Sequence, residues 1–308
     1  MVERAEFSKQ LLHPKHWLLW CGVGFARLLT LLPLRWQMKL GAGIGRLAML
    51  FAKGRVHTAR RNLALCFPDM ATADREQLLK RNFAETGKAI FDTINAWWWS
   101  NERIQAHMTI KGQEYVQQTL DAGQGVILFA VHCLPLEMGA RIFGQFNPGV
   151  GVYRPHNHPV MEYLQVKGRL RSNKALIPKR DLRQMVRSLR APNVIWYTAD
   201  QDFGRSSAIF IPFFAVPDAA TITGGTTLAK LGKAKVLPFF VERNADDNGY
   251  TIEIEAPLDN YPGENEEQDA IRGNGIIERL ISRNMSQYMW LHRRFKTRPV
   301  KGSASLYK

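Results

Sequence analysis

The stretch GVILFAVHCLPLEMG, residues 125–139, decides how the chain is read. Its apolar run, residues 126–131, has the length of one buried strand, and Gly123 and Gly125 punctuate its start. His132 stands at the strand's end and Glu137 follows five positions later. On one continuous helix five residues turn about 500°, roughly 140° off-face, so these two side chains would diverge. They meet only if the chain bends between them. Pro135 permits the bend, because it favours a loop before it and a helix beginning at it. His132 is therefore expected on a strand-to-helix loop and Glu137 in the first helical turn. Ligands of open α/β sheets gather outside the carboxyl ends of strands. A histidine there, oriented by a carboxylate, can take a proton from a hydroxyl. The spacing alone is weak, since a strand-end histidine is commonly just hydrogen-bonded, so the rest of the chain must carry the reading.

Downstream, short strands alternate with helices. Strands are expected at 150–153, 175–177, 194–198, 235–241 and 250–254, and helices at 159–169, 182–189, 223–231 and 270–284. Upstream, a helix should start near ATADREQ (71–77), capped by Thr72 or Asp74 with Glu76 or Gln77 reaching back, and run on past Ile90 and Phe91. The alternation argues an α/β domain with a central, largely parallel or mixed sheet flanked by helices. Trp97, Trp98 and Trp99 follow in succession and cannot all face one core, so at least one is expected against lipid or a substrate chain.

A chain of 308 residues, 45% of them hydrophobic, suits one large domain or two small ones. Forty-two Lys+Arg against 27 Asp+Glu leave a net charge of +15, which points to an anionic partner: nucleic acid, membrane headgroups or acidic protein. Eleven of the basic residues lie within residues 1–61, opposed only by Glu3 and Glu6. They surround WLLWCGVGFARLLTLLP (17–33), an apolar run interrupted by Arg27 and marginal against the about 20 residues a spanning helix needs. No cleavage-site pattern follows it. Trp17, Trp20 and Trp36 suit an interfacial aromatic belt, and residues 38–51 form an amphipathic, glycine-rich segment. The expectation is an N-terminal apolar membrane-anchoring helix within an anchor of residues 1–55, either spanning the membrane or lying in its interface, followed by a catalytic domain of residues 56–308. Cys21, Cys66 and Cys133 are widely spaced, odd in number and free of CxxC patterning, so neither a disulfide framework nor zinc is expected.

Polar residues cluster at the expected strand ends. Arg154 follows the strand at 150–153. Arg169, Arg171, Asn173 and Lys174 lie in GRLRSNK, and Asp200 and Asp202 follow the strand at 194–198. Arginine suits phosphate because its planar fork bonds bidentately and stays charged, so the RLRSNK segment reads as anion-binding. Asp200 and Asp202 lack the ligand spacing of a metal site and are assigned hydrogen-bonding or salt-bridging roles. Cys133 beside His132 makes a poor dyad, because adjacent residues on an extended chain point to opposite faces. The segment QYMWLHRRFKTRP (287–299) mixes aromatic and basic residues, which suits nucleic acid or an acidic headgroup. No RNA-binding motif is visible and the charge bias sits at the membrane-like end, so nucleic acid is set aside.

These blocks, together with LLHPKHWL near the start, RRNLALCFPDM (60–70), GVYRPHN (151–157) and WYTADQDFG (196–204), resemble nearly end to end the late acyltransferases of bacterial lipid A biosynthesis. That family lies within the lysophospholipid acyltransferase-like superfamily, and the likeness is closest to its lauroyl/palmitoleoyl branch. The resemblance implies a glycerolipid acyltransferase-like fold and a place on the cytoplasmic side of the bacterial inner membrane. Acyl carrier protein would be the donor, and a Kdo-bearing tetra-acylated lipid A precursor the acceptor. A hydroxyl on one of the acceptor's 3-hydroxyacyl chains would attack the thioester, with no cofactor or metal. His132 would be the general base and Glu137 the carboxylate that orients it. Arg154 and Arg169 would bind phosphate or sugar carboxylate, with Asp200 in support. Lauroyl is the chain expected on overall likeness. Palmitoleoyl or myristoyl transfer, or a glycerophospholipid acceptor, are the alternatives.

Overall fold

The structure, a computed structural model, describes residues 1–308 apart from the side chain of Ser207. Helices come first: α1 (Trp17–Leu29), α2 (Leu34–Phe51), α3 (Lys53–Cys66), α4 (Thr72–Trp98) and the short α5 (Asn101–Gln105). α1 ends in a turn in which the Thr30, Leu31 and Leu32 N–H groups bond carbonyls three residues back, and α2 begins directly after Pro33. At 13 residues α1 is about 20 Å long, short of the roughly 30 Å of a bilayer core. Among the described residues no helix is long and apolar enough to cross a membrane, which corrects the expectation that the N-terminal helix could span one.

The α/β body follows as β1 (Met108–Lys111), α6 (Gln113–Asp121), β2 (Val126–Ala130), α7 (Leu136–Phe143), β3 (Gly149–Tyr153), α8 (Pro159–Arg169), β4 (Asn173–Pro178), α9 (Leu182–Arg190) and β5 (Val194–Thr198). A separate antiparallel ribbon, β6 (Ala208–Phe213) and β7 (Val216–Ile222), comes next. The chain then returns through α10 (Gly224–Gly232), β8 (Lys235–Arg243), β9 (Tyr250–Ile254) and α11 (Glu266–Arg283). Seven strands form one sheet in the order β1-β9-β8-β2-β5-β3-β4. All pair in parallel except β8 with β9, so the sheet is mixed but mostly parallel. β2 lies at its centre with every residue buried, as its unbroken apolar run requires of a parallel strand covered on both faces.

The division expected at residue 55 meets no linker. α2 lies against α4 at backbone distance: a Cβ on Gly45 would stand 1.9 Å from the Phe83 carbonyl oxygen, and one on Gly87 would stand 2.0 Å from that of Gly41. Only glycine permits this approach. α4 is in turn tied to the sheet by Arg243 of β8, whose buried guanidinium pairs with Asp92 and Glu85, while the Tyr250 hydroxyl donates to Asp92 at 2.7 Å. The start of α4 also differs from expectation. Ala71 is the N-cap and no side chain caps it; Arg75 instead donates to the carbonyls of Phe67 and Pro68 at 2.8 and 3.0 Å, clamping the preceding loop.

Candidate active site

The register of the central strands builds the site. β2 and β5 run parallel with Ala130 opposite Thr198. Two residues beyond each of these positions stand His132 and Asp200, side by side at the carboxyl edge of the sheet. The Asp200 carboxylate accepts from His132 Nδ1 at 2.8 Å through Oδ1 and from the His132 backbone N–H at 3.1 Å through Oδ2. Thr198 Oγ1 lies 3.2 Å from Nε2 on the other side of the ring. An ionised carboxylate at Nδ1 requires the ring proton there, which leaves Nε2 as the acceptor and the Thr198 hydroxyl as donor.

Burial fixes the electrostatics. The His132 side chain keeps 21% exposure, whereas that of Asp200 keeps 1%, so only the imidazole can meet a ligand. Desolvation by itself pulls the His132 pKa down, but the charge and hydrogen bond of Asp200 outweigh it and hold the value above the ordinary histidine range. Desolvation likewise pushes Asp200 up, and His132 with two backbone N–H groups brings it below the ordinary carboxylate range. A partly exposed histidine oriented in this way, with a raised basicity, can accept a proton from a hydroxyl and hold it. Cys133 is buried; desolvation drives its thiol pKa far up, so it has no nucleophilic character here.

Glu137 sits where the sequence puts it, in the first turn of α7 behind Pro135. Its partner is different. Arg169, at the end of α8, donates to it through Nε at 3.0 Å and through Nη2, and Trp97 Nε1 donates at 3.3 Å. Glu137 makes no hydrogen bond to His132; the carboxylate on the imidazole is Asp200. α7 starts on the loop beyond β2 and carries Glu137 towards α4 and α8, away from β5. Glu137, Arg169, Trp97 and Trp196 line a small cleft of about 80 Å³ with Gly151 and Gly168.

The remaining sequence-derived residues separate into two groups. Arg154 and Lys174 are exposed and free to meet a ligand. Arg171, Asn173 and Asp202 are already engaged within the protein. Arg171 donates to the carbonyls of Trp97 and Trp99 at 2.6 and 2.7 Å, capping the end of α4. Asn173 donates to the Arg169 carbonyl at 2.9 Å. Asp202, buried, accepts from Gly204 N–H and from the backbone N–H and hydroxyl of Thr297. These contacts engage Arg171, Asn173 and Asp202 within the protein. The three tryptophans face different surroundings. Trp99 is buried and donates to the Thr30 carbonyl, Trp97 packs on Gly168 beside the cleft, and Trp98 is half-buried against the Leu11–Val160 cluster.

Sequence reasoning missed the part played by residues 287–299. This segment is a strap across the site. Leu134 N–H donates to the Gln287 carbonyl at 2.7 Å and Met289 N–H to the His132 carbonyl at 3.1 Å, so the catalytic-edge loop is pinned from outside the sheet. Asn62 and Asn82 hold the strap from α3 and α4 through carbonyls of Trp290, His292, Ser286 and Tyr288. Buried Arg294 donates to the Ala220 carbonyl at 2.6 Å. Thr198 was also unflagged; its position two residues before Asp200 was the available signal.

An imidazole backed by a buried carboxylate, with a hydroxyl already at its Nε2, is an arrangement suited to activating a hydroxyl group. Comparison with known proteins gives the class its content. Residues 4–297 match the family model described as bacterial lipid A biosynthesis acyltransferase, and the chain belongs to that family. It is 45% identical to a lipid A biosynthesis acyltransferase of Haemophilus influenzae over 98% of this chain and 97% of that one. It is 41% identical to the lipid A biosynthesis lauroyltransferase of Escherichia coli over 97% and 98% of the two chains. The lipid A biosynthesis palmitoleoyltransferase of the same organism is 40% identical over 100% of both. The protein is an acyltransferase of lipid A biosynthesis, and the near-equal identities do not separate one transferred chain from another.

Proposed function

We propose that the protein transfers a fatty acyl chain, lauroyl in the first instance, from acyl carrier protein to a hydroxyl on a 3-hydroxyacyl chain of a Kdo-bearing tetra-acylated lipid A precursor. The observation that carries the reading is the His132–Asp200 pair, with an imidazole that keeps part of its surface exposed. The acceptor hydroxyl replaces the Thr198 hydroxyl at Nε2 and gives its proton to the imidazole while its oxygen attacks the thioester carbonyl. Asp200 stabilises the imidazolium so formed. Collapse of the tetrahedral intermediate expels the carrier thiolate, which takes the proton back from His132. A positioned base of this kind is worth about 10²- to 10⁴-fold, and no acyl-enzyme is needed.

Glu137 serves in this account by fixing Arg169, whose pairing holds its charge despite desolvation. The pair sets a rigid polar wall at the cleft. Exposed Arg154 and Lys179, which follow β3 and β4 at the carboxyl edge, suit the phosphates and sugar carboxylates of the acceptor, whereas Lys174 lies at the opposite end of β4.

The N-terminal helices support a membrane location. α1 buries none of its residues and exposes Leu18, Phe25 and Leu28, and α2 exposes Leu40, Leu47 and Phe51. An apolar face of this extent flanked by basic residues fits a helix pair lying in the membrane interface. The donor is cytoplasmic, so the enzyme works at the cytoplasmic face of the inner membrane.

The test is incubation of the purified protein with the Kdo-bearing precursor and carrier proteins charged with C12, C14 and C16:1 chains, with products read by mass. One added lauroyl group is expected. Preference for C16:1 or C14 would correct the chain, and activity only on glycerol phosphate acceptors would overturn the acceptor assignment.

A further inference from the structure

Away from the catalytic edge, a groove of about 400 Å³ runs between α2 and α4, and nothing in the chemistry above uses it. Its base is apolar, formed by Met38, Ala42 and Ala84. Its walls carry Lys39 and Arg46 from α2 and Lys80 and Arg81 from α4, all four exposed. The two carboxylates in the groove are already spent: Glu85 pairs with Lys88 and Arg243, and Asp247 pairs with Lys88. Among the described residues none of the four wall cations forms an ion pair, so the groove presents uncompensated positive charge over an apolar floor.

Helical geometry puts this charge beside the apolar surface. On α2 the side chains of Arg35, Lys39 and Arg46 fall within about 40° of one another, and the exposed row Leu40, Ile44 and Leu47 lies roughly 120° further round. α2 therefore has three faces: a glycine-lined face against α4, a basic face over the groove, and an apolar face to the outside. The close contact at Gly45 and Gly87 fixes the groove's width. A ligand filling it needs a phosphate for the cations and hydrocarbon that continues onto the apolar row.

We propose that the α2–α4 groove binds the phosphate headgroup of an anionic phospholipid, whose chains lie along the exposed apolar face of α2. A lipid fits better than an acidic protein because charge and apolar surface adjoin on one helix and the groove floor is itself apolar. The site rests on the interfacial-membrane reading and adds to it a defined headgroup pocket, distinct from the acceptor site, that sets the enzyme's orientation on the bilayer.

The experiment is vesicle flotation of the full chain with phosphatidylcholine vesicles and with mixed phosphatidylcholine–phosphatidylglycerol vesicles. Three proteins are compared: wild type, the groove variant Lys39→Gln/Arg46→Gln/Lys80→Gln/Arg81→Gln, and a control of equal charge change on exposed residues of α9, α10 and β8, Arg183→Gln/Arg187→Gln/Lys230→Gln/Lys235→Gln. Each cation at an anionic surface is worth about fivefold in binding. The groove variant should lose roughly tenfold or more of its affinity for the anionic vesicles and keep its binding to phosphatidylcholine, while the control changes by less than about twofold. Equal loss in both variants would show diffuse charge and overturn the pocket, as would unchanged anionic-vesicle binding in the groove variant. Vesicle binding retained alongside lost turnover with acyl carrier protein would put an acidic protein there instead. Wild type that floats with neither vesicle would sink the membrane reading itself, a result distinct from all of these.

Discussion

Two carboxylates stand near the carboxyl edge of the sheet, Glu137 and Asp200, and they differ in what they hold. Glu137 is five residues from His132 in the chain and bonds Arg169 and Trp97. Asp200 is 68 residues away and bonds His132 twice. Nearness in sequence misled because a helix start at Pro135 carries Glu137 off the sheet, towards α4 and α8. Strand register did the opposite: pairing Ala130 with Thr198 delivers the two following loops to one place. The Asp200 pair leaves a base with an open nitrogen. The Glu137 pair neutralises an arginine and stiffens a cleft wall. In a parallel sheet, a histidine at a strand end finds its partners among the residues that follow the neighbouring strand.

Substitutions in the two pairs should separate them. His132→Ala should have the largest effect, a fall in kcat of about 10²- to 10⁴-fold in a protein that still folds; near-wild-type turnover by mass assay would remove histidine from the chemistry. Glu137→Gln should cost roughly ten- to hundredfold, the worth of a charged hydrogen bond to Arg169, and Arg169→Lys should cost a comparable amount because a single ammonium cannot reproduce the fork. If Glu137→Gln were as damaging as His132→Ala, the two pairs would be one catalytic unit. Thr198→Val should change activity least, within a few-fold, since its hydroxyl at 3.2 Å only occupies the nitrogen that the acceptor takes. A large loss there, with the fold intact, would make Thr198 a participant in proton transfer.

Much of this architecture was legible in the residues. The helix at 159–169 and the strands at 194–198 and 250–254 were placed to the residue because each is a short apolar or amphipathic run with clear punctuation. β1 and the β6–β7 ribbon were not read. MTIK is too short to show a period, and β6 (AIFIPF) and β7 (VPDAATI) lack regular alternation, each carries a proline, and no glycine marks the turn between them. At the site, His132, the bend at Pro135 and the helical start of Glu137 followed from local rules. The partner of His132 did not, because sheet order is a non-local property. Arg171 and Asp202 looked like ligand-binding groups for the same reason: their true partners, the carbonyls ending α4 and the threonine at 297, lie far off in the chain. The basic C-terminal segment resembled a docking surface until its backbone bonds to the His132 loop were visible.

The most direct test of the account is the pH dependence of kcat/KM for wild type, Asp200→Asn and Glu137→Gln. The base must be unprotonated to act, so wild-type activity should fall as pH drops through a histidine pKa held above its ordinary value by Asp200. Replacing Asp200 with asparagine removes the charge that raises that pKa and leaves desolvation, which lowers it. The acid limb of Asp200→Asn should therefore move to lower pH, with a maximum rate reduced by about 10²- to 10⁴-fold, while that of Glu137→Gln stays with wild type. A limb that moves in Glu137→Gln and stays fixed in Asp200→Asn would contradict the account and return the histidine to its neighbour in sequence.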